Sequence, residues 1–221
     1  MATPVYIEAG AKRSFASALD WPGWSRSGKG EEQALQALVA AAPRYAVVAE
    51  AAGLPLPSDA ADSLEVVERV PGDASTDFGV PGAQASADAE PLTPQQAERL
   101  AALVAAAWAV FDRVRAAAPA ELRKGPRGGG RDRDKIAAHV IGAEAGYSAR
   151  LGLRLREPAW GDRAAVAANR QAILLALRNP PEGTAGAGSR GGKRWHVPYA
   201  ARRIAWHALD HAWEIEDRRQ P

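Results

Sequence analysis

RRIAWHALDHAWEIEDR, residues 202–218, decides how this chain reads. His207 and His211 are four residues apart, so on a helix both imidazoles leave one face, a turn from each other. Ile204 and Ile215 continue that face as an apolar stripe, and Trp206 and Trp213 flank it. Pro198 opens the segment, which predicts a helix from there to about Arg218 with one buried side. Histidines on a buried side need a reason. Desolvation disfavours the charged ring, and each ring nitrogen that loses water needs a partner.

The chain holds four histidines: His139, His196, His207 and His211. Upstream, AAHVIGAEAGY (137–147) lies in a second predicted helix over about 132–152. There Ile136, His139, Val140, Ala143 and Tyr147 form the inner stripe. Three histidines thus point toward one interior, and His196, between a loop and the last helix, reads as a surface residue. One divalent ion would satisfy three rings together. A His-x3-His pair plus a third His from a facing helix suits Zn²⁺ or Ni²⁺ and leaves a position for water or a ligand. The competing reading is a hydrogen-bonded polar core without metal. With no cysteine in the chain, ligands are confined to His, Asp, Glu and water. Asp210 and Glu214 are the candidate partners behind the imidazoles, with Tyr147 and Trp206 lining the pocket. Glu144, five residues from His139, turns away from that ring. The remaining acids pair with Arg202, Arg203 and Arg218 or stay solvated.

Working outward, the fold class is α+β. Residues 1–70 read as a small β-β-α-β unit: a hairpin over 4–19 closed by Asp20-Trp21-Pro22-Gly23, a helix from Glu31 to Glu50, and a strand over 64–70. Residues 71–92, rich in Pro, Gly, Ala, Ser and Asp, read as a linker or wrapping segment that Phe78 and Val80 pin down. Residues 93–221 hold four amphipathic helices, enough for a four-helix bundle. The first opens at Thr93-Pro94-Gln95-Gln96, a capping box with proline at the first helical position. The third has Asp162 as its N-cap and runs to about Asn179. Gly-rich basic loops at 123–133 and 183–194 offer Arg and backbone N–H groups to a phosphate or carboxylate, but they lack Walker spacing, and the favoured reading is flexible, solubilising connections.

AAHVIGAEAGY and RRIAWHALDHAWEIEDR together resemble the DinB/YfiT-like superfamily of metalloenzymes, over residues 93–218. The resemblance implies a four-helix bundle with a His from the second helix and a His-x3-His from the last as metal ligands: His139, His207 and His211. That family includes thiol-dependent transferases and isomerases using mycothiol, bacillithiol or glutathione, in which the metal holds the thiol as thiolate. Its up-down-down-up topology requires a crossover between the second and third helices, here Leu155 to Gly161. FASALDWPGWSRSGKGEEQALQAL (15–38) is similar to the HicB-like antitoxin fold, in which a strand ends in a D-x-PG turn and the helix opens with E-E-x-A-L. No paired-carboxylate nuclease centre accompanies it, since Glu8 and Asp20 stand apart. The unit reads as a recognition or dimerisation module, which makes a homodimer one expectation.

Composition narrows the function classes. A net charge of +2, with 28 basic and 26 acidic residues interspersed, argues against a nucleic-acid partner. The longest apolar run, Leu100 to Phe111, is about half of the ~20 residues a membrane span needs. No leader pattern opens the sequence, and a cytoplasmic protein is the expectation. Two functions are expected: a metal-dependent enzyme, either a transferase using a small thiol or a hydrolase of a small substrate, or a ligand- or partner-binding protein with a structural metal or a metal-free bundle.

Overall fold

A computed structural model describes residues 2–125, 129–179 and 194–219. Most of the Gly-rich loop at 183–194, and residues 126–128 of the loop at 123–133, lie outside them. The chain is mixed α+β. Its strands are β1 (Thr3–Ala9), β2 (Ser14–Ala18), β3 (Ser25–Gly28) and β4 (Leu64–Pro71). Its helices are α1 (Glu31–Ala51), the short α2 (Ala74–Phe78), α3 (Pro94–Ala117), α4 (Arg133–Arg150), α5 (Arg163–Arg178) and α6 (Val197–Arg218), with a 3-10 turn at Ser86–Ala89. No described helix is long and apolar enough to cross a membrane.

The four strands form one sheet in the order β3-β2-β1-β4, with β1 antiparallel to β2 and parallel to β4. β3 is an addition to the expected β-β-α-β unit. Its sequence, SRSG, carries no apolar alternation, and it pairs only because the D-W-P-G-W turn folds it back on β2. That turn is held from inside. Trp24 stacks on Tyr45 at 5.6 Å and donates its indole N–H to Leu38 O, while Tyr45 donates its hydroxyl to Pro22 O.

Alternation along β1 divides the sheet's faces. Val5 and Ile7 join the apolar core with α1 residues such as Leu38 and Val48. Tyr6 and Glu8 meet residues 76–83 instead. The buried Glu8 carboxylate accepts from Thr76 Oγ1 and from the backbone N–H groups of Gly82 (2.9 Å) and Ala83 (3.0 Å). Residues 71–92 therefore wrap the sheet, as one of the two expected readings had it, but with different anchors. Phe78 is 85% exposed, and Thr76, Pro81, Ala85 and Asp88 are the buried ones. A polar tether replaces the aromatic pin because the strand face beneath it presents a carboxylate.

Local chemistry sets the helix starts. Thr93 and Gln96 form the capping box of α3 with Pro94 in the first turn, and Asp162 caps α5 by accepting from Ala165 N–H at 2.9 Å. α3 packs on α5 and α6, and α4 packs on the same two helices. The order round the group is therefore α3, α6, α4, α5. α6 also packs against the sheet side: Trp206 meets Phe15 edge-on at 6.0 Å, and Arg26 of β3 pairs with Asp210 at 2.8 Å. One apolar core runs through the sheet, α1 and the C-terminal helices.

Gly23 sits where the turn meets α6. Its φ is +96°, and a Cβ there would stand 2.6 Å from Leu209 Cδ1. Gly23→Ala thus adds backbone strain to a steric clash and is expected to cost about 1–3 kcal/mol. Thermal unfolding checks this, at about 2–4 °C of midpoint per kcal/mol for a chain of this size.

Candidate metal centre

α6 is buried on nearly every side, because it packs against α3, α4 and the segment over the sheet. Its residue 207 therefore lands in the interior, and His207 is only 7% exposed. His211, one turn on, is partly buried. On α4 the most buried stripe runs through Ile136, Ala137, Val140, Glu144 and Ser148. It is rotated from the expected stripe. His139, Ala143 and Tyr147 form its partly exposed flank, and that flank borders α6.

Buried Glu144 fixes the rotation. Its carboxylate, turned away from His139, accepts from Arg170 at 2.9 and 3.0 Å, and Arg170 also donates to Asp112 at 2.7 Å while lying over Trp108. This ion cluster ties α3, α4 and α5 together.

The three imidazoles gather into a near-equilateral triangle. Ring centroids are 5.0 Å apart for His139–His207, 5.0 Å for His139–His211 and 4.8 Å for His207–His211. One nitrogen from each ring lies within 4.8 Å of the others, and the Nε2 atoms of His139 and His207 are 3.3 Å apart. Two nitrogens bound to a tetrahedral zinc at ~2.05 Å would be separated by about 3.3 Å, so this pair already has the required span. His211 Nδ1 lies 2.8 Å from Glu214 Oε2, and Glu214 also pairs with Arg218. Burial works against ionising Glu214, but His211 and Arg218 overcome it and hold its pKa below the usual carboxylate value. An ionised Glu214 accepts a hydrogen bond from Nδ1–H of the tautomer whose Nε2 lone pair is free, the arrangement found behind metal-ligating histidines.

Electrostatics favour neutral rings. Burial, then the charges of His211, Arg203 and His139, push the His207 pKa well below its ordinary value. Burial and His211 lower that of His139 as well. Near neutral pH both rings carry lone pairs, as metal ligation requires. The donor set therefore fits a borderline-soft divalent ion, and the partly exposed side of His139 leaves the cluster open to a ligand.

Of the other expected residues, Tyr147 packs edge-on against His207 at 5.5 Å and Trp206 lies 6.2 Å from it. Asp210 is drawn away from the imidazoles by Arg26. Glu216 and Asp217 pair with Arg44 of α1. His196 is partly buried at the start of α6, its backbone N–H bonded to Gln84. Of the arginines expected to pair with the acids of α6, Arg218 does so with Glu214, whereas Arg202 and Arg203 turn elsewhere. Arg202 binds Asp88 of the wrapping segment, and Arg203 lies over the rings of Tyr147 and Trp206. A separate groove of about 880 Å³, lined by Asp112, Arg115, Arg133, Trp160, Arg163 and Arg170 among others, includes none of the histidines.

No family model, no curated protein and no solved structure matches this chain. The geometry of the site stands alone.

Glu214→Gln keeps the size of the side chain but removes the charge that orders His211. Zinc affinity is expected to fall by about 10–100-fold. Competition against a chromogenic chelator measures it, and unchanged affinity would mean that Glu214 does not orient the ring.

Proposed function

We propose that this protein is a DinB-like divalent-metal protein, with a HicB-like unit ahead of a four-helix bundle, acting as a metal-dependent transferase on a small thiol. The carrying observation is the convergence of His139, His207 and His211, with one nitrogen of each within 4.8 Å of the others, the Nε2 atoms of His139 and His207 3.3 Å apart, and Glu214 behind His211. Three imidazoles packed this closely cannot all ionise, and each needs a partner for its inward nitrogen. A Zn²⁺ or Ni²⁺ ion, when bound, supplies that partner and an open position where a thiol is held as thiolate.

The chain's own residues do the rest. His139, His207 and His211 hold the ion, and Glu214 keeps the His211 proton on Nδ1. Tyr147 and Trp206 wall the cluster and exclude water from the His207 side. The chain has no cysteine, so a transferred or activating thiol comes from outside.

One observation favours a second reading. The His139 and His207 nitrogens are within hydrogen-bond distance of each other, which would suit a metal-free polar network in a ligand-binding protein.

Metal analysis of untagged protein by mass spectrometry separates the two. About one zinc or nickel ion per chain is expected, lost in the His207→Ala/His211→Ala pair. Wild-type protein without stoichiometric metal contradicts the proposal and favours the polar network. With metal bound, transfer of a mycothiol-type thiol to an electrophilic acceptor should require the ion and fail in the double variant. Stoichiometric metal without turnover would replace the transferase with a ligand-binding protein.

A further inference from the structure

Arg202 and Arg203 are consecutive and both buried. Each lies over an aromatic ring and each has one guanidinium nitrogen without a hydrogen-bond partner, but among the described residues only Arg202 has a carboxylate. Arg202, 6% exposed, meets both oxygens of buried Asp88 at 2.6 and 2.7 Å. Arg203, 8% exposed, has no carboxylate partner among the described residues. Its guanidinium carbon lies 4.6 Å from the Trp206 ring centroid and 5.0 Å from that of Tyr147, and its Nη1 is buried without any hydrogen-bond partner. Nε1 of Trp206, the ring beneath it, is buried and unpartnered as well.

A buried guanidinium needs a counter-charge. Stacking on aromatic faces offsets only part of the desolvation and leaves the N–H fork unsatisfied. The position of Arg203 says what completes it. It lies four residues before His207 on α6, one helical turn or about 5–6 Å along the axis. Tyr147 connects the two, since its ring touches both Arg203 and His207. Trp195 packs on Tyr147 at 5.4 Å and on Tyr199 at 5.0 Å, extending the aromatic wall on that side.

We propose that Arg203 is the receptor for a carboxylate on the molecule that binds at the histidine cluster. That molecule is bifunctional: one end takes the open position of the metal, and a carboxylate about one helical turn away meets the planar fork of Arg203. The metal-binding end of the ligand rests on the function proposed above, whereas the carboxylate end rests on Arg203 itself.

The test is calorimetric titration with 3-mercaptopropionate and its uncharged counterpart 3-mercaptopropan-1-ol, on zinc-loaded and zinc-free protein. The two probes differ only in the group offered to Arg203. The carboxylate is expected to tighten binding by about tenfold or more in both zinc states. Arg203→Met should abolish that preference. Arg203→Lys, which keeps a charge without the fork, should retain only part of it, and it carries the test if the Met variant does not fold. Equal affinities in the wild type, no measurable carboxylate binding, or a preference that survives in folded Arg203→Met overturns the proposal. A chain that binds no zinc yet keeps the Arg203-dependent preference refutes the metal and leaves the anion receptor standing. A chain that binds zinc without the preference does the reverse.

Discussion

Everything at this site depends on α6 being buried on nearly all sides while carrying polar residues that must be satisfied within the protein. A buried polar group left unpaired costs about 1–3 kcal/mol, and more when charged. The surroundings answer one residue at a time. Asp88 of the wrapping segment meets Arg202, Arg26 of β3 meets Asp210, and Arg218 and His211 share Glu214. Among the described residues, α6 still carries buried nitrogens without a hydrogen-bond partner on Arg202, Arg203, Trp206 and Arg218, and Arg203 and Trp206 lie within one turn of His207. Arg203 and the three imidazoles are the groups a ligand at this site would meet.

The N-terminal unit therefore does more than precede the helices. Close approach of Gly23 to Leu209 and Ala205, the Phe15–Trp206 contact and the Arg26–Asp210 pair lock α6 against the sheet. From the other side, Glu144, Arg170 and Asp112 set the rotation of α4 and so bring His139 to the two histidines of α6. The Arg170 ion cluster and the Arg26–Asp210 pair thus orient the two helices that carry the histidines.

Much of this was legible in the sequence because it is written in short-range spacing. The four-residue step from His207 to His211, the Thr93–Gln96 capping box and the Asp162 cap depend on residues within a turn of one another. What was not legible depends on partners far apart in the chain. β3 has no apolar alternation of its own and exists because of the turn before it. Arg202 finds Asp88, 114 residues away, and Asp210 finds Arg26, 184 residues away, and no local spacing points to either pair. The buried stripe of α4 lies one step from the one its apolar spacing predicts, because Glu144 belongs to the core through Arg170. Arg203 could have been suspected, since it lies four residues before His207 on the same stripe, but the carboxylates nearby in sequence disguised its isolation.

The central claim is that three imidazoles share one divalent ion and leave a position open. X-ray absorption at the zinc edge of the zinc-loaded protein addresses it directly. Three imidazole nitrogens at about 2.0 Å and one further light-atom ligand are expected, with the light atom replaced by sulfur at about 2.3 Å when a small thiol is added. Fewer than three imidazole ligands, or a coordination sphere that a thiol leaves unchanged, would contradict it.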